Sequence, residues 1–389
     1  MGEHSLTTTQ ATQTTALPAA QHATPNTPCA SDAPHRGSRL TEHTPRLRIA
    51  VISTPHIKTP PRGFGGSEEV AGGLAEELVR RGHDVTLFAT EDSRTSGVLQ
   101  YSASASPKGP HQHPAYREVI HVGHALACSR FDLVLNHCVM AIPALALCGQ
   151  APVVTTLHYH PSILDEFPWL NYIAVSYRQA ELARQSGLNV IGVAYNGIDP
   201  SPYRVVAQKD DYLLWIGRFH YYKGPDLAIQ VAQKEGMRLL LAAPPPPQDQ
   251  VGFFEAHVRP RLRGRIEWIG GVEGEEKYRL FERALCTLFP IRWEEPFGLV
   301  MIESMAAGTP VIAFGRGAAP EIISDGQTGF VVGDVNSMAR AVHQVHTIDP
   351  AACRRHVETH FTTATMTDSY LALCRNLAAV GPWCPPAAK

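Results

Sequence analysis

At 389 residues, 44% of them hydrophobic, the chain exceeds one ordinary core and can bury two. Its formal charge of -2 gives no electrostatic case for nucleic acid or an acidic membrane surface as partner. The longest apolar run, 139–148, is broken by Pro143, and no basic stretch precedes an apolar core at the N-terminus. Neither an integral membrane segment nor a secretory signal is therefore expected.

Residues 1–45 are rich in Thr, Ala, Pro, Gln and His and nearly free of large apolar side chains. They cannot bury enough surface to offset ordering entropy, and are predicted to form a disordered tail. Folded structure begins near Arg46, where L-R-I-A-V-I-S reads as a buried parallel strand. The loop P-R-G-F-G-G-S-E-E follows, then a helix with Val70, Ala71, Leu74, Ala75, Leu78 and Val79 on one face. Ser67 is the expected N-cap, Glu68 and Glu69 suit the first turn, and Gly82 ends it. Strands are predicted over 84–90, 131–138, 151–158, 172–177 and 190–194.

The pattern relaxes over 196–211, the predicted interdomain linker. A second alternation follows, with strands at 212–218, 238–243, 266–269, 286–289 and 310–314 and a helix near 224–234. Strands alternating with helices predict doubly wound parallel sheets, here two Rossmann-like halves of an α/β chain. Pro244–Pro247 mark a stiff loop after a strand, on the edge where such sheets bind ligands.

Eight cysteines contain no C-x-x-C pair. Cys128, Cys138 and Cys148 read as small buried hydrophobes, and all as reduced thiols in a cytoplasmic protein. His356 and His360 are spaced i,i+4 but enclose V-E-T, not the E-x-x of a zinc protease, so no metal site is expected there.

Three clusters carry chemistry. In R-W-E-E-P-F-G-L-V-M-I-E-S-M-A-A-G, Arg292 to Gly308, two carboxylates flank a turn that opens an apolar helix. A helix start offers unpaired N–H groups and partial positive charge to phosphate, while Glu295 and Glu303 can accept hydrogen bonds from hydroxyls. The second cluster, G-R-F-H-Y-Y-K-G from Gly217 to Gly224, ends a strand with Arg218 and Lys223, two cations suited to a diphosphate. The third is the loop from Gly63 to Ser67, where backbone can approach a ligand. It fails as a dinucleotide fingerprint because Glu68 stands where the third Gly belongs, so a plain turn and a phosphate contact both stay open. No D-x-D suits a bridging metal, so the cations are expected to replace one.

Taken together, these motifs resemble the retaining glycosyltransferases of family 4, with most likeness to a bacterial subgroup, over about 46–370. The resemblance rests on the E-x7-E pair Glu295/Glu303 and the G-R-x4-K-G element with Arg218 and Lys223. A-A-G-T-P-V-I-A at 306–313, N-G-I-D at 196–199 and T-L-H at 156–158 extend it. It implies the GT-B fold, two Rossmann-like domains facing across a cleft. The first, 46–200, would take the acceptor and the second, 201–360, the nucleotide-sugar donor, while 361–389 would return as a helix to the first and end as a tail. By the same resemblance, Arg218 and Lys223 bind the donor diphosphate, Glu303 the ribose and Glu295 the sugar hydroxyls. Phe297, Gly298 and Leu299 lend N–H groups, Gly66 another, and His158 touches the transferred sugar near its anomeric carbon.

The activity so implied is retaining transfer of a hexose, UDP-glucose being the default donor, with neither cofactor nor metal. The acceptor is left open among small molecule, glycan and lipid. One departure is that His158 is followed by Tyr159 and His160 where the family often has Asp or Gly. Glu68 and Glu69, which would repel phosphate, are expected to face the acceptor or solvent. A catalytically silent sugar-nucleotide binding subunit and a GT-B epimerase or phosphorylase are the alternatives.

Overall fold

Strands that are buried on both faces read as short continuous apolar runs, and two sets of them organise this protein. The structure, a computed structural model, describes residues 45–102, 114–128, 130–139, 151–159, 167–206 and 208–380. Residues 1–44 of the tail predicted over 1–45, His160, Cys148 and most of the 139–148 run lie outside them.

The first sheet contains β1 (Arg48–Ile52), β2 (Asp84–Phe88), β3 (Val98–Gln100), β4 (Leu133–Asn136), β5 (Val153–Leu157), β6 (Asn171–Ala174) and β7 (Val190–Val193). All pairs are parallel in the order 3-2-1-4-5-6-7. The second contains β8 (Tyr212–Ile216), β9 (Arg238–Ala242), β10 (Ile266–Gly270), β11 (Cys286–Phe289), β12 (Val311–Phe314) and β13 (Gly329–Val332). It too is parallel, in the order 10-9-8-11-12-13. Strand order reverses between β1 and β4 and between β8 and β11, the two points where doubly wound sheets open a crevice at their carboxyl edges.

Helices α1 (Gly66–Arg80), α2 (Pro114–Cys128) and α3 (Tyr177–Gln185) serve the first sheet. The second half carries α4 (Pro225–Glu235), α5 (Gly274–Arg283), α6 (Leu299–Ala306), α7 (Val335–Val342) and α8 (Pro350–His360). Local signals account for the ends: Pro225 opens α4 at N1, and left-handed Gly236 closes it. Asp334 and Ser337 form a reciprocal capping box on α7.

Several boundaries depart from the sequence reading. Ser67 is not the cap of α1; Gly65 holds that place, and the helix begins at Gly66. Tyr177, expected to end a strand, starts α3 instead, because Ser176 accepts the Gln179 N–H at 3.1 Å. The short edge strand β3 and β13 carry too little pattern to be predicted.

The last helix, α9 (Thr363–Val380), returns to the first domain. The chain crosses at Ile198, whose N–H donates to Phe361 O at 2.9 Å and whose carbonyl accepts from Thr363 N at 3.0 Å. Met366, Tyr370 and Cys374 are buried in the first domain's core beside Leu74, Leu78 and Val154. Arg81 clamps the helix through Asp368 at 2.5 Å and Ala364 O at 2.9 Å. Among the described residues no helix is long and apolar enough to cross a membrane.

Candidate active site

The loops after β8 and β11 are sewn together. Gly224 (φ 64°) passes so close to Pro290 that a Cβ would fall 2.1 Å from its carbonyl oxygen. Arg292 grips Asp226 through two bonds of 2.7 and 2.6 Å, donates to Tyr221 O at 2.8 Å, and lies 4.4 Å from the Tyr221 ring centroid. This fork fixes the turn that carries Lys223. Lys223 Nζ reaches Glu295 Oε2 at 2.5 Å, and Trp293 Nε1 donates to the same oxygen at 2.6 Å. Glu295 is thus anchored through one oxygen, and its Oε1 has no partner among the described residues.

Backbone contact holds that carboxylate in place. Ala318 N donates to Glu295 O at 3.0 Å, and Gly317 (φ 55°) crosses so tightly that a Cβ would sit 2.3 Å from both Glu295 N and O. Gly317→Ala is expected to cost about 2 kcal/mol or more, from the left-handed strain and the clash with backbone. Calorimetric unfolding checks this; an unchanged melting temperature would refute it.

Glu303 repeats the arrangement one helix turn and more into α6. Lys277 Nζ on α5 donates to its Oε1 at 2.5 Å and Tyr203 OH to the same oxygen at 3.2 Å. Oε2 is left without a partner among the described residues. Burial opposes the Lys277 charge most strongly, but Glu303, with Glu69 and Tyr278 adding to it, raises the ammonium pKa on balance. Between the two carboxylates, Gly298 (φ 87°) precedes α6 with no side-chain cap; Met301 N donates to Gly298 O at 3.0 Å, while the Leu299 and Val300 N–H groups stay available among the described residues. The Phe297 side chain is buried between Tyr195 and Phe361, which pins the turn from beneath.

The glycine loop of the first domain meets this edge. A Cβ at Gly66 would lie 3.4 Å from Leu299 Cδ1, and one at Gly63 3.2 Å from Val272 O. Arg218 is exposed, stands 6.0 Å from the Phe64 ring centroid, and makes no ion pair among the described residues. Glu68 does not face solvent; it is buried against Thr54, and burial raises its carboxyl pKa. Glu69 is exposed, and lies within electrostatic reach of Glu303 and Lys277. Its carboxyl is raised by burial first and by Glu303's like charge second, with Lys277 opposing, although part of the side chain still meets solvent.

His158 follows β5, bonded to His137 at 2.8 Å, and burial lowers its pKa to about 4. Tyr159, next in the chain, lines a narrow crevice with Arg178, Glu294, Glu295 and Pro296, so this strand end and the Glu295 loop converge. The domains are tied beside it: Arg178 Nε donates to Glu294 at 2.8 Å, and Glu321 accepts the Tyr177 and Arg178 N–H groups at 2.7 and 2.6 Å. The residues of the three sequence clusters and His158 thus lie along one interdomain edge. Lys277, Tyr203, Trp293, Arg292 and His137 were not foreseen. The one available signal was that two neighbouring strands end alike, in L-N-H and T-L-H.

Among known proteins, the model "Glycosyltransferase Family 4" matches residues 64–202 and the model "Glycosyl transferases group 1" residues 204–352. Glycogen synthase of Mycobacterium tuberculosis is 27% identical over 375 residues, covering 79% of this chain and 88% of that protein. Sucrose-phosphate synthase of Thermosynechococcus elongatus has the same fold, with a TM-score of 0.72 at 22% identity over 86% of this chain and 100% of that one. Anabaena HepE, solved in complex with UDP-glucose, gives a TM-score of 0.67 at 16% identity over 86% and 100%. Two parallel Rossmann-like sheets, both family matches and these likenesses make the chain a glycosyltransferase of the GT-B fold. The names of these relatives state different products, glycogen and sucrose phosphate among them, so the family alone names no substrate.

Proposed function

We propose that the protein moves a hexose from a nucleotide diphosphate sugar, UDP-glucose first among candidates, to an acceptor hydroxyl with retention of anomeric configuration. The observation that carries this reading is that Glu295 and Glu303 are each held through one oxygen while the other remains to accept a hydroxyl. They stand on either side of an uncapped helix start, with Arg218 and Lys223 on the adjoining loop. Arg218, Lys223 and the N–H groups of Phe297, Gly298, Leu299 and Gly66 would take the diphosphate. Glu303 would take the ribose, Glu295 the sugar hydroxyls, and His158 the sugar near its anomeric carbon. The UDP-glucose bound to HepE supports the donor class.

In this reaction the bond from C1 to the phosphate oxygen breaks and one from C1 to the acceptor oxygen forms on the same face. The acceptor proton passes to the departing phosphate oxygen, so no enzyme nucleophile is required. Charge develops on the diphosphate, where fixed cations and N–H groups stabilise it without a metal in this scheme. The first domain would supply the acceptor surface, and the protein would work in the cytoplasm.

The test is nucleotide release from UDP-, GDP- and ADP-hexoses, with and without a chelator, and the anomeric configuration of any product read by NMR. We expect one donor to dominate, turnover to survive chelation and the anomer to be retained. An inverted product or abolition by chelator would overturn the mechanism. Nucleotide binding with no release from any donor, even with candidate acceptors, would point to a silent binding subunit.

A further inference from the structure

Two neighbouring parallel strands deliver the same side chain to one edge of the first sheet. β4 and β5 pair with Asn136 opposite Thr155, so His137, one residue on, and His158, three residues on, leave the sheet on the same face as diagonal neighbours. His137 Nδ1 lies 2.8 Å from His158 Nε2, with ring centroids 5.1 Å apart and planes inclined by 26°. Nitrogens that close between well-separated centroids mean the rings meet edge to edge, in hydrogen-bonding geometry. One of the two must then carry the proton and the other a lone pair.

Burial decides which. His137 is 0% exposed, and its Nε2 has no partner among the described residues. Were His158 the donor, the proton of a neutral His137 would sit on Nε2, a buried N–H with nothing to receive it. With His137 donating from Nδ1, Nε2 holds only a lone pair, and unpaired buried acceptors are tolerated more often than unpaired donors. Both rings are neutral at ordinary pH: burial holds His137 well below its usual range, His158 adding to it, and burial lowers His158 to about 4. A neutral His158 that accepts at Nε2 must keep its own proton on Nδ1, which bonds to none of the described residues. Tyr370 of α9 stacks on His137 at 6.5 Å and 23° and is itself tied to Thr156 at 2.8 Å, so the His137 ring has a fixed seat.

We propose that His137 is a positioning residue that fixes His158 as its Nδ1–H tautomer and so presents a hydrogen-bond donor to an oxygen of the transferred sugar. The second half rests on reading His158 as the sugar contact; the first half does not.

The test uses the full chain with 15N-labelled histidine, the His158 signals being identified by their loss in His158→Asn. In the unaltered protein we expect Nε2 at the position of an unprotonated acceptor and Nδ1 at that of an N–H. His137→Leu removes the donor, and the His158 proton should redistribute toward Nε2. His137→Asn, whose amide N–H can stand where Nδ1 stood, should retain the original tautomer. With the productive donor, kcat should fall about tenfold in His137→Leu with little change in KM, as for other supports of a reacting group, and His137→Asn should recover most of it. A His158 protonated on Nε2 in the unaltered protein overturns the proposal. So does a His137→Asn variant no more active than His137→Leu when both melt alike. Full turnover in His158→Ala would remove the sugar contact, and with it the proposed role, even where the tautomer responds as expected.

Discussion

Lys223→Ala is expected to lower nucleotide release from the productive donor by about 100- to 1000-fold, the loss typical of one preorganised group facing a developing negative charge. Lys223 is the cation best placed for it. Its turn is locked by the Arg292–Asp226 fork and by the close approach of Gly224 to Pro290, so the ammonium needs no reorganisation to act. Its present partner, Glu295, holds it at 2.5 Å, and an arriving diphosphate competes for the same charge. The substitution has a second consequence, because it leaves a buried carboxylate with only the Trp293 N–H. Melting temperature and nucleotide affinity separate the two. The expected pattern is a weakened affinity for the nucleoside diphosphate in a protein that remains folded. Release within threefold of the unaltered rate would exclude Lys223 from the diphosphate site.

Glu295→Gln should act on the sugar rather than on the nucleotide. The change keeps the size of the side chain but removes its charge, and an amide turned to satisfy Lys223 with its oxygen must offer N–H where Oε1 now stands. A donor would then face the sugar hydroxyl in place of an acceptor. A site built to pair a hydroxyl loses on the order of 100-fold or more when that pairing is spoiled. We therefore expect kcat/KM for the nucleotide sugar to fall about 100-fold while affinity for the free nucleoside diphosphate stays within about twofold, since Lys223 is freed rather than lost. Equal losses in both quantities would mean that Glu295 serves the phosphate grip and not the sugar. Near-normal turnover would end the assignment altogether.

The fold was legible because its strands are fully buried and read as short apolar runs: L-R-I-A-V-I-S and C-T-L-F needed no context. Edges escaped for the complementary reason. Val98–Gln100 is only three residues long and partly exposed, leaving almost nothing for a pattern to show. In the site, loop motifs carried the signal, since Arg218, Lys223, Glu295 and Glu303 sit within two compact segments. Their supports did not, because Tyr203 meets Glu303 across 100 positions and Lys277 across 26. A lysine on an amphipathic helix looks like any solvated charge until a second helix presents a buried carboxylate to it.

The double crossing at Ile198 and Thr363 bears on how such proteins can be recombined. The first domain is not encoded by a continuous stretch, because Met366, Tyr370 and Cys374 complete its interior from the far end of the chain. A chimera that grafts a foreign acceptor half onto this donor half therefore needs two seams, one beside Ile198 and one beside Thr362. With a single seam, the imported half would face a helix selected to fill someone else's core.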